Sequence, residues 1–441
     1  MNYNIVAGID SCTLNRIIGD VYKAVYPSLF KNTITLNQLG IESVAFDITK
    51  APQISFERAK EIKNQVEGII KNNELKELSN LSEDDKLKVL EMASAASFGL
   101  DANVSLTINY EGGEAPTNTE AIIHINLNIQ AITKEGKNFL TAHLISANLK
   151  SIPANPLLED LLNKAFIPHF TPYFNDNILK PIEIPTLEYN SLLVSLPSTV
   201  TQNPYFLNFS ALGSIQPDVP ASEKWPADCV FAGVDAALMQ GVVSAVNIFP
   251  LGPSTGFDWK IITGKVNAQL QTPNHFEVNK DGSISAKLPL EARAQLTIHT
   301  PWPLPNFSFG PKATSTVKLT LKPLVKNSDF YIEVKDVQIK EMSFDFGGIP
   351  GWLNTIFSPL RAGLGIALNT ALQPIIKAAL LAIPAIKIFT LPTIPITLAD
   401  KTIEVKLNSA KTTAQNSLLM VNTQVAVSAK QAEKDRVALN V

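Results

Sequence analysis

Residues 6–10 read V-A-G-I-D, and residues 231–235 read F-A-G-V-D. Two further echoes follow in the same order: L-N-K-A-F-I-P at 162–168 against L-N-T-A-L-Q-P at 368–374, and I-P-T-L at 184–187 against L-P-T-I at 391–394. Their offsets agree to within about 20 residues, which marks a duplicated unit rather than three coincidences. Each half must then build its own core, and a chain of 441 residues is long enough for two. The expected division is a first domain over 1–212, a linker over 213–226 rich in Pro and polar residues, and a second domain over 227–441.

Within each half the periodicity changes in a fixed order. Leu14, Ile17, Ile18, Val21, Tyr22 and Val25 recur at spacings of three and four, which predicts an opening helix from about Asp10 to Leu29. Leu238, Val242, Val243 and Val246 repeat the pattern in the second half. Asp10 and Asp235 each precede such a run and read as helix caps rather than as a catalytic carboxylate pair.

Strict alternation comes next. Leu100, Ala102, Val104, Leu106, Ile108 and Tyr110 alternate with polar residues, and so do Ala121, Ile123, Ile125, Leu127, Ile129 and Ala131. The longest run is Ile284, Ala286, Leu288, Leu290, Ala292, Ala294, Leu296 and Ile298, a strand of about 50 Å at ~3.3 Å per residue. Alternation of this kind predicts antiparallel sheet with one wet and one apolar face. Turn signals at 111–114, 134–137 and 279–282 join the runs as a meander. Pro289 lacks a donor and marks an edge or a bulge.

The apolar face needs a cover. A second, longer helix supplies it, with Leu157, Leu158, Leu161, Phe166, Phe170 and Phe174 in the first half. In the second half the equivalents are Leu364, Leu368, Leu372, Ile375, Ile376, Leu380 and Leu381. The fold class is therefore α+β: two tandem units, each a long curved meander wrapped around helices as a half-rolled tube. Residues 55–97 have no twin in the second half and read as a helical insertion with a charged outer face: a lid, a surface for a protein partner, or decoration.

Several functions are excluded. Net charge is −3 and no Lys/Arg run tracks a phosphate backbone, so no nucleic-acid partner is expected. The five histidines are scattered, and neither a metal-ligand spacing nor a nucleophile elbow nor a phosphate loop occurs. No catalytic residue, metal or cofactor is expected. Cys12 and Cys229 are too few for a disulfide framework and read as free thiols. The apolar tract 349–396 is broken by Arg361, Lys377, Lys387 and three prolines, so it reads as a buried helix rather than a membrane span. The stretch 300–311 reads as a rigid loop, or as an apolar tip (Trp302, Phe307, Phe309) for transient membrane contact. The N-terminus lacks a signal-peptide core: the compartment is cytoplasmic if Met1 is native, and secreted if a leader was removed.

With a duplicated unit of short helix, long meander, proline-punctuated helix and final strand, the chain resembles the tubular lipid-binding superfamily. Its double-domain members include bactericidal/permeability-increasing protein and lipopolysaccharide-binding protein. The opening Y-N-I-V-A-G-I-D-S-C-T-L-N, with Asn15 just inside the first helix, is also similar to the accessory proteins encoded beside botulinum-type neurotoxins. The resemblance implies binding, and transfer, of phospholipid or fatty acid in an apolar slot in each half. The slots are expected at Leu14, Ile17, Val21, Leu106, Phe166 and Phe170 in the first half, and at Leu238, Val242, Leu290, Leu368, Leu372 and Ile376 in the second. The other reading is a non-enzymatic scaffold, or toxin-complex accessory protein, whose tubes are filled by their own side chains. A cationic tip and a first-domain disulfide, both found in the animal members, have no match here.

Overall fold

The two echoed pentapeptides lie side by side. In the computed structural model Ile5–Asp10 pairs antiparallel with Val230–Val234, and Ala7 stands directly opposite Ala232. The echoes therefore cross at their alanines, the second residue of each motif. Val6 faces Gly233 and Gly8 faces Phe231, so each motif's glycine receives the first side chain of the other. A Cβ at Gly8 would lie 2.3 Å from Phe231 Cζ, and one at Gly233 would lie 2.9 Å from Val6 Cγ1. Gly8→Ala is accordingly expected to cost about 1–3 kcal/mol by overpacking. Gly19→Ala, in the opening helix with nothing within 4 Å of the new methyl, should instead stabilise by about 1 kcal/mol. Chemical denaturation of the two variants checks the contrast.

The structure describes residues 3–431 apart from 59–61, 63–95, 136, 180, 185–194, 196, 214–216, 221–222, 247–254, 260–261, 274, 300–305, 327–328, 347–364, 367, 371, 391–392 and 399–400. The architecture is sheet-rich, with curled sheets and few helices. The central sheet has seven strands in the order Thr393–Leu398, Lys401–Gln415, Leu418–Gln431, Val230–Val234, Ile5–Asp10, Tyr205–Ser210 and Ser198–Gln202. Both parts of the chain thus contribute to it.

The first meander runs Lys31–Gln38, Ile41–Ile48, Ser97–Tyr110, Thr117–Lys134, Lys137–Ile152 and Ile182–Ile184, with Gln53–Ser55 attached to its third strand. The second runs Thr255–Trp259, Ile262–Leu270, Ile284–Ile298, Lys312–Lys326, Asp329–Ile339 and Ile386–Thr390, with three short strands attached. The strand over 284–298 has the bounds that its alternation predicts.

Two details of that strand differ from expectation. Pro289 is not on an edge strand. One side of its strand pairs continuously with Lys312–Lys326, while the other side changes partner there from His275–Val278 to Ile262–Leu270. The missing donor sits where the neighbouring chain breaks, so no ladder bond is lost. Ser283 and Ser285 fall on the polar side of the pattern but are buried, because the turn residue Asn279 folds over them and bonds to both hydroxyls.

Both caps form as expected. Asp10 accepts from the Thr13 amide (2.9 Å) and starts a helix over Ser11–Val25, and Asp235 accepts from the Leu238 amide (2.8 Å) before Ala236–Val246. Each cap also reaches across the echo: the Cys229 amide donates to Asp10 Oδ2 (3.1 Å), and Asn4 Nδ2 donates to Asp235 Oδ2 (2.7 Å). The first opening helix stops at Val25 rather than Leu29 because Pro27 disfavours the helical conformation of Tyr26.

The longer helix of the first half is broken into Pro156–Ala165 and Ile167–Asn177, since Pro168 has no amide to continue the ladder. The linker, too, is more than a spacer. Trp225 is 4% exposed, stacks on Phe231 (centroids 5.8 Å, planes 9° apart) and meets Phe209 edge-on. Tyr205 donates to its carbonyl (2.8 Å), so this part of the expected linker is packed onto the central sheet.

Candidate functional site

Two apolar interiors lie between the meanders and their helices. In the first, the inner face of the sheet (Phe46, Leu100, Ala102, Val104, Leu106, Ile108, Ile123, Ile125) packs against Leu162, Ala165, Phe166, Phe170 and Phe174 of the broken helix. In the second, Ile284, Ala286, Leu288, Leu290, Ala292, Ala294 and Leu296 pack with Leu319, Phe330 and Val337 against Leu368, Leu372, Ile376 and Leu380. The last four come from a helical stretch described at 365–366, 368–370 and 372–381.

The second echo supplies the clamp that fixes each helix to its sheet. Asn163 accepts from the Leu149 amide (2.8 Å) and donates to the Leu149 carbonyl (3.0 Å). Asn369 does the same to Met342, at 2.8 and 3.2 Å. A carboxamide is the side chain that can satisfy both groups of one peptide unit, and that explains the Asn of L-N-x-A. The preceding leucines, Leu162 and Leu368, are buried beside the clamps, as are Phe166 and Leu372 three residues further along. Asn15 repeats the device on Ile54, accepting from its amide (2.7 Å) and donating to its carbonyl (3.3 Å), and so ties the opening helix to Gln53–Ser55.

Most of the expected residues fall where their periodicity puts them. Leu106, Phe166 and Phe170 are wholly buried in the first interior, and Leu14 and Val21 pack partly buried against it. Ile17 is half-buried but lies outside that cluster. Leu290, Leu368, Leu372 and Ile376 belong to the second interior. Leu238 is buried, and the side chain of Val242 lies outside the described residues. Leu157 and Leu381, expected on the covering helices, are exposed instead (Leu157 at 85%), because each sits near an end of its helical stretch.

The rings of the first interior form a column. Phe166–Phe170 and Phe170–Phe174 centroids are 5.5 and 5.6 Å apart, and Phe46 stands edge-on to Phe170 at 5.6 Å. Tyr173 also meets Phe46 edge-on (5.5 Å) and donates its hydroxyl to the Leu29 carbonyl at 3.0 Å. The helix of the second interior presents Leu368, Leu372, Ile376 and Leu380. The first is closed at its far side by Leu398 and Ile403, which come from the C-terminal part of the chain. Lys401 Nζ there donates to the Ala24 carbonyl (2.5 Å) at the end of the opening helix.

Three buried hydroxyls are occupied by the backbone or by a neighbouring side chain. Thr141 Oγ1 donates to the Gln130 carbonyl, Thr423 Oγ1 to the Val230 carbonyl, and Ser151 to Glu159. One group among the described residues has metal-ligand spacing: Asp10, Cys12 and Asp228, with ligand atoms within 4.8 Å of one another. The Asp10 carboxylate already accepts three hydrogen bonds there, from the Thr13 amide and hydroxyl and the Cys229 amide. The same position is a helix N-terminus, whose dipole disfavours a cation, so the group is read as part of the cap. Burial, with Asp10 and Asp228 adding to it, pushes the Cys229 thiol up to about 11, and it stays protonated at neutral pH.

On the outer face of the first sheet, Asp101 Oδ1 forms an ion pair with the Arg58 guanidinium (2.7 Å) and lies 2.8 Å from His124 Nδ1. The Arg58 guanidinium lies over Gly99, where a Cβ would come within 2.1 Å of it. Nothing in the sequence pattern ties Arg58 to that glycine. The rest of the 55–97 insertion falls largely outside the described residues, as do 300–305 and the side chains of Phe307 and Phe309. Among the described residues no helix is long and apolar enough to cross a membrane.

No protein-family model and no curated protein matches the chain. Among solved structures it is similar to lipopolysaccharide binding protein, with a TM-score of 0.32 at 11% identity, over 97% of this chain and 99% of that one. It is similar to P47 from Clostridium botulinum A2, with a TM-score of 0.44 at 9% identity, over 96% and 97%. Takeout 1 of Epiphyas postvittana matches over 33% of this chain and 78% of its own, with a TM-score of 0.22 at 13% identity.

Proposed function

We propose that this protein is a non-enzymatic binder of long apolar molecules, phospholipid or fatty acid, held between meander and helices. In this reading 1–212 and 227–441 are two tubular domains, each sheet wraps its helices, and 213–226 joins the halves. The observation that carries it is the inner wall of the strand over 284–298. Seven consecutive inward positions, Ile284 to Leu296, are aliphatic and at most 7% exposed, and an aliphatic helix face lies opposite them. A wall of this kind recognises a hydrocarbon chain by burial alone, at about 0.8 kcal/mol per methylene. It has no preference among headgroups.

Such binding is insensitive to salt. Net charge is −3 with both signs dispersed, so headgroup attraction is small beside the chain term, which ions screen hardly at all. Uptake of a fluorescent fatty acid, and its transfer from neutral vesicles, should change less than about twofold between low and high salt. A collapse at high salt would assign recognition to charge and contradict the reading.

A second reading is favoured by the phenylalanine column. Phe166, Phe170 and Phe174 are 0% exposed, so the first interior is filled by its own side chains. A filled interior suits a scaffold, and an accessory protein of a larger complex would need no more. Uptake of no fatty acid by the whole chain would decide for it.

A further inference from the structure

We infer that the two interiors are not equivalent: the second takes the hydrocarbon chain, and the first is a packed support closed by its phenylalanines. This rests on the chain-binding reading above and adds which half carries it. The second echo aligns the two helices, since Leu162-Asn163 matches Leu368-Asn369 and both asparagines clamp a strand in the same way. Counting on from the clamps, Phe166, Phe170 and Phe174 stand where the second half has Leu372, Ile376 and Leu380. All six face their own interior and are buried. At each of three successive turns a phenyl ring in one half is thus an aliphatic side chain in the other.

The difference is one of yield as well as size. The rings interlock at 5.5–5.6 Å along the helix and edge-on against Phe46, and the neighbouring Tyr173 is tethered to Leu29. No ring can turn aside without displacing the next, because packed interiors move in concert. Leu372, Ile376 and Leu380 share their cluster with Ala286, Ala292 and Ala294, beside Leu288, Leu290 and the rings of Phe276 and Phe330. Leucine and isoleucine open a lane by changing rotamer, a freedom that the interlocked rings of the first half lack. A lane opened among these side chains offers hydrocarbon contact, so its ligand is an unbranched hydrocarbon chain.

The test uses the whole chain and palmitic acid carrying a diazirine in mid-chain. After irradiation and digestion, label is expected on peptides from 284–298 and 368–381, at one probe per protein molecule. Ile376→Phe, which gives the second half the residue found at the matching place in the first, should lower uptake about tenfold or more. Its circular dichroism shows whether it has folded, and the wild-type labelling map decides even if it has not. Label concentrated on 97–152 or 156–177, or two probes bound equally in both halves, would overturn the assignment while leaving chain binding intact. No uptake by the wild-type protein would overturn chain binding itself, and the assignment with it.

Discussion

Leu290→Asp should lower the free energy of unfolding by roughly 5 kcal/mol, and Leu106→Asp by a similar amount. Each leucine is at most 1% exposed at the middle of an inward-facing row. The substitution removes an aliphatic side chain from a packed wall and puts in a carboxyl group with no donor provided for it. Desolvation raises the folded-state pKa of the new group above its unfolded value of about 3.9. The sign follows: the loss is largest above the raised pKa, where folding must neutralise or bury a charge. It shrinks in acid, where the carboxyl is neutral in both states. Urea titrations followed by circular dichroism at neutral and acid pH measure both. Near-wild-type stability of either variant would mean that the strand faces are reversed.

Phe170→Ala should cost about 3–5 kcal/mol. Phe170 is fully buried at the centre of the column and touches Phe46, Phe166 and Phe174, so its removal takes a partner from three rings at once. The tether of Tyr173 to Leu29 prevents the column from closing the gap. The midpoint of chemical denaturation reads the effect, and a change below about 1 kcal/mol would show that the column is loosely packed.

Much of this was legible in the sequence because local physics decides it. Alternation at two-residue spacing has one satisfactory outcome, and the run from Ile284 to Leu296 faces inward at every expected position. Asp10 and Asp235 are capping residues by chemistry and do cap. What was not legible depends on contacts between distant parts. The echoes signal repetition, but their sequence does not say that Ala7 meets Ala232, or that each glycine makes room for the other motif's first residue. The Asn of L-N-x-A carries no local sign of a clamp, since Leu149 and Met342 come near only in the folded chain.

The misplaced residues have similar causes. Ile17 shares the helical spacing of Leu14 and Val21 but lies to one side of the stripe that reaches the core. Leu157 belongs to a helix by pattern, yet it sits in the first turn and is exposed. Trp225 stands in a stretch of Pro and polar residues, where the composition describes its neighbours and not its own burial. Periodicity identifies a face, and only the tertiary fold says how much of that face is covered.

Native mass spectrometry of the protein, purified without detergent and then exposed to mixed phospholipid and fatty acid, tests the central claim most directly. The account predicts a peak displaced from the bare 47.9 kDa chain by the mass of an acyl lipid, released by collisional activation and insensitive to the salt used in loading. A clean unliganded mass under all loading conditions would contradict it and leave a protein whose interiors are filled by their own side chains.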